Sequence, residues 1–284
     1  MTRAAIIGLF RLFRFELSFS AGACVFLGEL LALGHLPSLR GALYGFMSFF
    51  FISATALILN DYFDVEIDRI NAPSRPIPAG LVTRSQVLIL SIVVALLGFV
   101  SSYVISEEAF VVVFVVWLVG LLYNWRLKRA GLWGNLVVSF SVGMTFVFGG
   151  IAAGNPFEKT VWYLAMTAML IDLGEEIAAD ALDVEGDRLG GSRSLAVVRG
   201  PQNAMRFAAG VFTLVVAGSA VPFLFGWFSR VYLLPIALLD TVIVYSVPKL
   251  LSPQIADRRK YVRLIYLGGL AVIVMFIVIR LWMA

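Results

Sequence analysis

The chain has 284 residues, of which 61% are hydrophobic and only 14% charged, whereas an average soluble domain carries about a quarter charged residues. With a mean hydropathy of +0.94, this composition excludes an ordinary water-soluble globule. The net charge of +4 arises from a one-sided placement of Lys and Arg and implies attraction to anionic lipid, with no nucleic-acid partner.

A helix needs about 20 apolar residues to cross about 30 Å of hydrocarbon. Nine apolar stretches predict nine transmembrane helices, at about 17–33, 43–59, 87–103, 110–123, 136–152, 161–178, 207–225, 231–247 and 264–282. Arg11 and Arg14 precede a first span of full length, so a cleaved signal peptide is not expected. Cys24, the single cysteine, excludes an intrachain disulfide and reads as a small buried residue of that span. No linker or soluble insertion interrupts the spans, so residues 1–284 are expected to form one all-α membrane domain.

Counting alternate loops to one side, 18 of the 22 Lys and Arg residues share a face with the amino terminus. The basic bias of cytoplasmic loops then places that face, with its long polar segments at about 60–84 and 183–206, in the cytoplasm of a multi-pass cell-membrane protein. Both segments follow an acidic helix end, which hints at an internal duplication.

Eleven of the 18 acids lie in two short segments. Carboxylates near hydrocarbon are costly and repel one another, so a cation must compensate them. The first segment reads NDYFDVEIDRINAPSRPIPAG from Asn60 to Gly80. On a helix, Asn60, Asp64 and Asp68 fall within roughly 80° of one another, with Asp61 just beyond, while Glu66 and Arg69 point elsewhere. Pro73, Pro76 and Pro78 then end the helix and stiffen the loop that carries Arg75.

The second segment runs from Asp172 to Gly200. Asp172, Glu176, Asp180, Asp183 and Asp187 step by three or four residues, so a continuous helix would align them within roughly 80°, with Glu175 and Glu185 off that face. Gly190 and Gly191 allow a turn that could bring Arg193 back over the stripe.

Oxygen-only donors without nearby His or Cys suit a hard divalent ion, magnesium above all, which takes a few carboxylates plus phosphate oxygens. Two facing stripes would therefore bridge a diphosphate through metal, with Asn60, Asp61, Asp64, Asp68, Asp180, Asp183 and Asp187 as ligands. Arginine forks such as Arg75 and Arg193 suit the outer phosphate oxygens. A third polar patch from Tyr123 to Asn135 offers Lys128 as a phosphate contact and Tyr123 or Asn124 as cavity lining. His35, on the opposite face, and the isolated acids Glu16, Glu29 and Asp240 receive no role.

In these residues the chain resembles the UbiA superfamily of intramembrane prenyltransferases, whose signatures are NDxxDxxxD and DxxxD. Asn60, Asp64 and Asp68 fill the first, and Asp183 and Asp187 the second, with Asp180 extending it. The resemblance implies a helical barrel around a central cavity open sideways to lipid. Two magnesium ions would bridge the diphosphate, whose departure yields an allylic cation shielded from water. The second segment is most similar to archaeal digeranylgeranylglyceryl phosphate synthases, which implies geranylgeranyl diphosphate as donor, a lipid glycerol hydroxyl as acceptor, and no obligatory protein partner. Asp64 and Asp183 are then the expected catalytic residues, Asp183 accepting the hydroxyl proton, with Tyr123, Arg75, Lys128 and Arg193 on the phosphates. Here Arg14 is followed by Phe15 and Glu16 where many members carry Arg-Pro, and aromatic quinone precursors remain the alternative acceptors. A cation-coupled transporter is a more distant alternative, because its acids would lie inside broken spans rather than at span ends.

Overall fold

The computed structural model describes residues 3–283, the side chains at 4, 70 and 71 excepted. Its helices are α1 (Arg3–Leu12), α2 (Phe15–Leu33), α3 (Leu39–Phe63), α4 (Val65–Asn71), α5 (Arg84–Ile105), α6 (Glu107–Trp125) and α7 (Leu132–Ala152). There follow α8 (Lys159–Leu182), α9 (Val184–Leu189), α10 (Leu195–Arg199), α11 (Pro201–Gly218), α12 (Val221–Leu224), α13 (Leu233–Leu251) and α14 (Arg259–Met283). The described residues contain no strand.

Local chemistry explains several helix ends. Ser38, Thr83 and Ser106 each accept a backbone N–H through their side chains at the starts of α3, α5 and α6, and Gln86 completes a capping box with Thr83. Gly34 ends α2 in the left-handed conformation that glycine adopts without strain.

Among the described residues, eight segments are long and apolar enough to cross a membrane. Of the nine predicted spans, the sixth is the exception. It forms as α8, whose 24 residues would extend about 36 Å, but Asp172, Glu175 and Glu176 interrupt its apolar run. The first span is longer than expected, since α1 and α2 together form a 29-residue apolar segment with a bend at Arg14. Outward faces are apolar: Leu96, Val100, Leu214, Leu234 and Val244 are exposed, as lipid-facing side chains are.

The interior has three apolar clusters. The largest joins α2, α7, α8, α11, α13 and α14 through residues such as Leu27, Ile177, Phe212 and Phe276. Two smaller ones tie α3 to α6 and α7, and α3 to α1 and α5. The helices α2 and α7 meet at Gly28 and Gly149, where an added Cβ on either would strike backbone of the other helix. Between the helices lies a central cavity of about 460 Å³, lined by α2, α3, α6, α7, α8, α13 and α14.

Candidate active site

Neither acidic segment is one continuous helix. The ladder of α3 stops at Phe63, Asp64 stands outside helical geometry with φ −88° and ψ 6°, and α4 restarts at Val65. Likewise α8 stops at Leu182, Asp183 has φ −121° and ψ 22°, and α9 begins at Val184. Both segments are thus built alike, each a long helix that breaks at a motif aspartate before a short one.

The first segment turns inward. Asp61, Asp64 and Asp68 are only 3%, 9% and 4% exposed. Asp61 is ion-paired with Arg14 and lies 3.5 Å from Arg75, whose guanidinium also donates to Asp68 at 2.6 Å. Asp64 is ion-paired with Lys128. Asn60 donates to the Asn124 side-chain oxygen at 3.2 Å, and Asn124 is itself held by the Ala56 carbonyl at 3.0 Å. Burial pushes the Asp68 carboxyl above the ordinary carboxylate range; Arg75 opposes that rise, and the charges of Asp64 and Asp61 add to it. Glu66 and Arg69 pair with each other on the surface, away from the cluster as expected.

The second segment is built differently. Asp180 accepts from Asn135 at 2.9 Å and Asp172 from the Ser139 hydroxyl at 2.8 Å, both donors coming from α7. Asp172, Glu175, Glu176, Asp180 and Asp187 make no ion pair within 4.0 Å among the described residues. One oxygen each of Glu175 and Asp187 is buried without a hydrogen-bond partner. Burial also raises the Asp187 carboxyl, as does Asp183, against a contact from Ser194 and the charge of Lys128.

The two segments meet at Lys128. Its ammonium pairs with Asp64 and lies within electrostatic reach of Glu176, Asp180 and Asp187. Tyr123 stands between the same groups, in reach of Asp64, Asp172, Glu176 and Asp180. The position of Lys128 follows from a tight contact beneath it. Gly131 has φ 63°, and a side chain there would collide with the Arg193 carbonyl. The Arg193 N–H donates to the Arg129 carbonyl at 3.1 Å, fastening this turn to the loop after α9.

Four expectations change. The helix break takes Asp183 off the continuous stripe to an exposed position, where Arg259 pairs with it. Arg193 does not fold over the acids: its side chain is exposed and without an ion pair among the described residues. Glu175, expected off the working face, lines the cavity together with Asp172 and Glu176. Finally, among the described residues no three acids stand close enough to share one metal ion, since Arg14, Arg75, Lys128 and Arg259 hold carboxylates instead.

Sequence reasoning treated Arg14 as a flanking charge and as the place of a missing Arg-Pro pair, not as a partner of the acids. In the structure it is the only non-glycine among the described residues with positive φ, at 41°, and it reaches Asp61. The available signal was its place directly before the first long span. Asn135 and Ser139 were recoverable too, as polar residues one turn apart on an otherwise apolar helix.

The donor chemistry fits a hard divalent ion: oxygen ligands only, and in the second segment five acids with no cation paired to them. Residues 21–268 match the UbiA prenyltransferase family. The chain is 34% identical over 241 residues to the digeranylgeranylglyceryl phosphate synthase of Thermococcus sibiricus, an overlap covering 84% of this chain and 85% of that one. A solved structure described as giving structural and mechanistic insights into digeranylgeranylglyceryl phosphate synthase in membranes matches with a TM-score of 0.76 at 30% identity, over 96% of this chain and 98% of that one. A UbiA homolog from Archaeoglobus fulgidus, bound to GPP and Mg2+, shares the fold at a TM-score of 0.65 and 19% identity, over 94% of this chain and 99% of that one. Facing acid segments at the end of a cavity among apolar helices, and similarity over most of the sequence, lead to one conclusion: this chain is a multi-pass membrane prenyltransferase of the UbiA family.

Proposed function

We propose that the chain transfers a geranylgeranyl group from its diphosphate to the free hydroxyl of geranylgeranylglyceryl phosphate, forming digeranylgeranylglyceryl phosphate, and that residues 1–284 act as one domain. The observation that carries the reading is the meeting of the two acid segments on Lys128, at the end of an apolar cavity. Relatives bearing that activity in their names, and a structural neighbour holding GPP and Mg2+, support it.

Asn60, Asp61, Asp64, Asp68, Asp180, Asp183 and Asp187 would hold two magnesium ions, and Arg75, Lys128 and Tyr123 would meet the diphosphate. Magnesium, when bound, would neutralise the phosphate charge and ease its departure. Arg75 and Lys128 would exchange their carboxylates for phosphate oxygens, so the protein's own cations keep those acids compensated until substrate arrives. Asp64, at the first helix break, would be freed by this exchange, while Asp183, at the second, would have to leave Arg259 to bind metal. Apolar cavity walls would exclude water from the allylic centre, and the prenyl tail would remain lipid-side through a lateral opening. The site and the amino terminus would face the cytoplasm, a sidedness that the basic loops support.

The test supplies purified protein with magnesium, labelled geranylgeranyl diphosphate, and either geranylgeranylglyceryl phosphate or an aromatic acid. Labelled diether phosphate is expected, with Asp64→Ala and Asp183→Ala each abolishing it in a folded protein. A labelled aromatic product, or full turnover by either variant, would refute the reading.

A further inference from the structure

Two polar atoms in the central cavity have no use in the scheme above. One oxygen of Glu175 on α8 is buried without a hydrogen-bond partner, the buried hydroxyl of Tyr266 on α14 has only a loose contact to Glu16, and both residues line the cavity. Leaving a buried polar group unsatisfied is costly, so its retention calls for a ligand that completes it. The charged neighbours of Glu175 are Asp172, Glu176 and Arg263, and those of Tyr266 are Glu16, Arg263 and Glu175.

Arg263 lies one turn before Tyr266 on α14. Its guanidinium sits 4.9 Å from the Tyr266 ring centre and donates to Glu16 of α2 at 2.7 Å, joining the first long span to the last. Half of each partner's side chain is open to solvent, so this pair is weak and exchangeable. A cation at the rim, a hydroxyl one turn in, and a carboxylate facing it thus form a short polar track into an otherwise apolar chamber.

We propose that these three residues form the acceptor subsite of the prenyl transfer, Arg263 binding an anionic head group and Glu175 taking the proton of the attacking hydroxyl, with Tyr266 as its positioning partner. The proposal rests on the function given above and identifies where its second substrate sits. In the step, the bond between C1 of the prenyl group and the diphosphate oxygen breaks, and the pair leaves with diphosphate. The acceptor oxygen forms the new bond to C1 and its proton passes to a Glu175 oxygen. Asp183 is poorly placed for that proton: it lies eight residues further along, about 12 Å by helical rise, exposed and paired with Arg259. Glu175, by contrast, lies five residues before Asp180 on α8, about 7.5 Å by helical rise, and lines the cavity.

Steady-state kinetics on the purified enzyme, with both substrates varied, tests this. Glu175→Gln should lower kcat about 100-fold, as loss of a general base does, while leaving Mg2+-dependent binding of geranylgeranyl diphosphate unchanged by calorimetry, and Glu175→Asp should recover part of the rate. Arg263→Ala should raise KM for geranylgeranylglyceryl phosphate about tenfold with kcat little altered, and should erase the preference of the wild type for this acceptor over its phosphate-free alcohol. Turnover of Glu175→Gln within threefold of wild type, or an Arg263→Ala effect on the KM of the prenyl diphosphate instead, would overturn the subsite while leaving the proposed function standing. A wild type that prenylates no glyceryl acceptor would overturn both.

Discussion

Lys128 connects two acid segments that are more than a hundred residues apart in the chain, and its removal should be felt by both. Lys128→Ala leaves Asp64 buried without its cation, and is expected to cost about 100-fold in kcat/KM, with Lys128→Arg retaining part of the activity because it keeps the charge. Asp187 makes the opposite kind of test. Its carboxyl is raised by burial, so the folded chain binds that proton more tightly than the unfolded chain does. The resulting penalty is absent below the ordinary carboxylate pKa, grows as pH rises through the raised value, and is complete above it. Asp187→Asn in metal-free protein should therefore melt higher than wild type at pH 8, the advantage vanishing near pH 3 in a series of thermal melts (about the unfolded value). Prenyl transfer should be lost in the same variant, since an acid retained at a cost in stability serves the site. Spacing alone identified Asp61, Asp64 and Asp68, because helical periodicity fixes angular position. It could not reveal that Arg14 neutralises Asp61, or that Glu175 faces the cavity, since both depend on how distant helices pack.

Among elements, the bends carry the design. Arg14 occupies left-handed backbone, which costs a non-glycine residue about 1–2 kcal/mol, and there it turns α1 into α2 while its side chain reaches Asp61. Arg14→Gly relieves the strain but removes the ion pair, so it should leave thermal stability close to wild type while weakening diphosphate binding about tenfold by calorimetry. Gly131 is less forgiving, because the Arg193 carbonyl occupies the space a side chain would need. Gly131→Ala should lower stability by more than about 1 kcal/mol and shift Lys128, reducing turnover beyond what the melt alone explains. The helices themselves were readable from apolar runs and their caps. The breaks at Asp64 and Asp183 were not, because a three-or-four-residue repeat continues unchanged across a residue that leaves the helix.

At the scale of the whole molecule, nine apolar runs were visible in sequence, yet among the described residues only eight segments are apolar enough to span by composition. The remaining one, α8, is compromised by the acids that make it useful, which the cavity and the α7 side chains shelter. Sidedness can be checked in a Cys24→Ser background: Ser192→Cys should react with a membrane-impermeant maleimide from the cytoplasm, and Ser38→Cys from outside. The reverse pattern would invert the proposed orientation. The paired breaks also matter for mechanics. An uninterrupted rod would transmit any movement of its polar tip down into the bilayer, whereas a joint at Asp64 and another at Asp183 uncouple α4 and α9 from the long helices below. A shift of the two polar tips around an incoming diphosphate would consequently leave the long helices beneath in place.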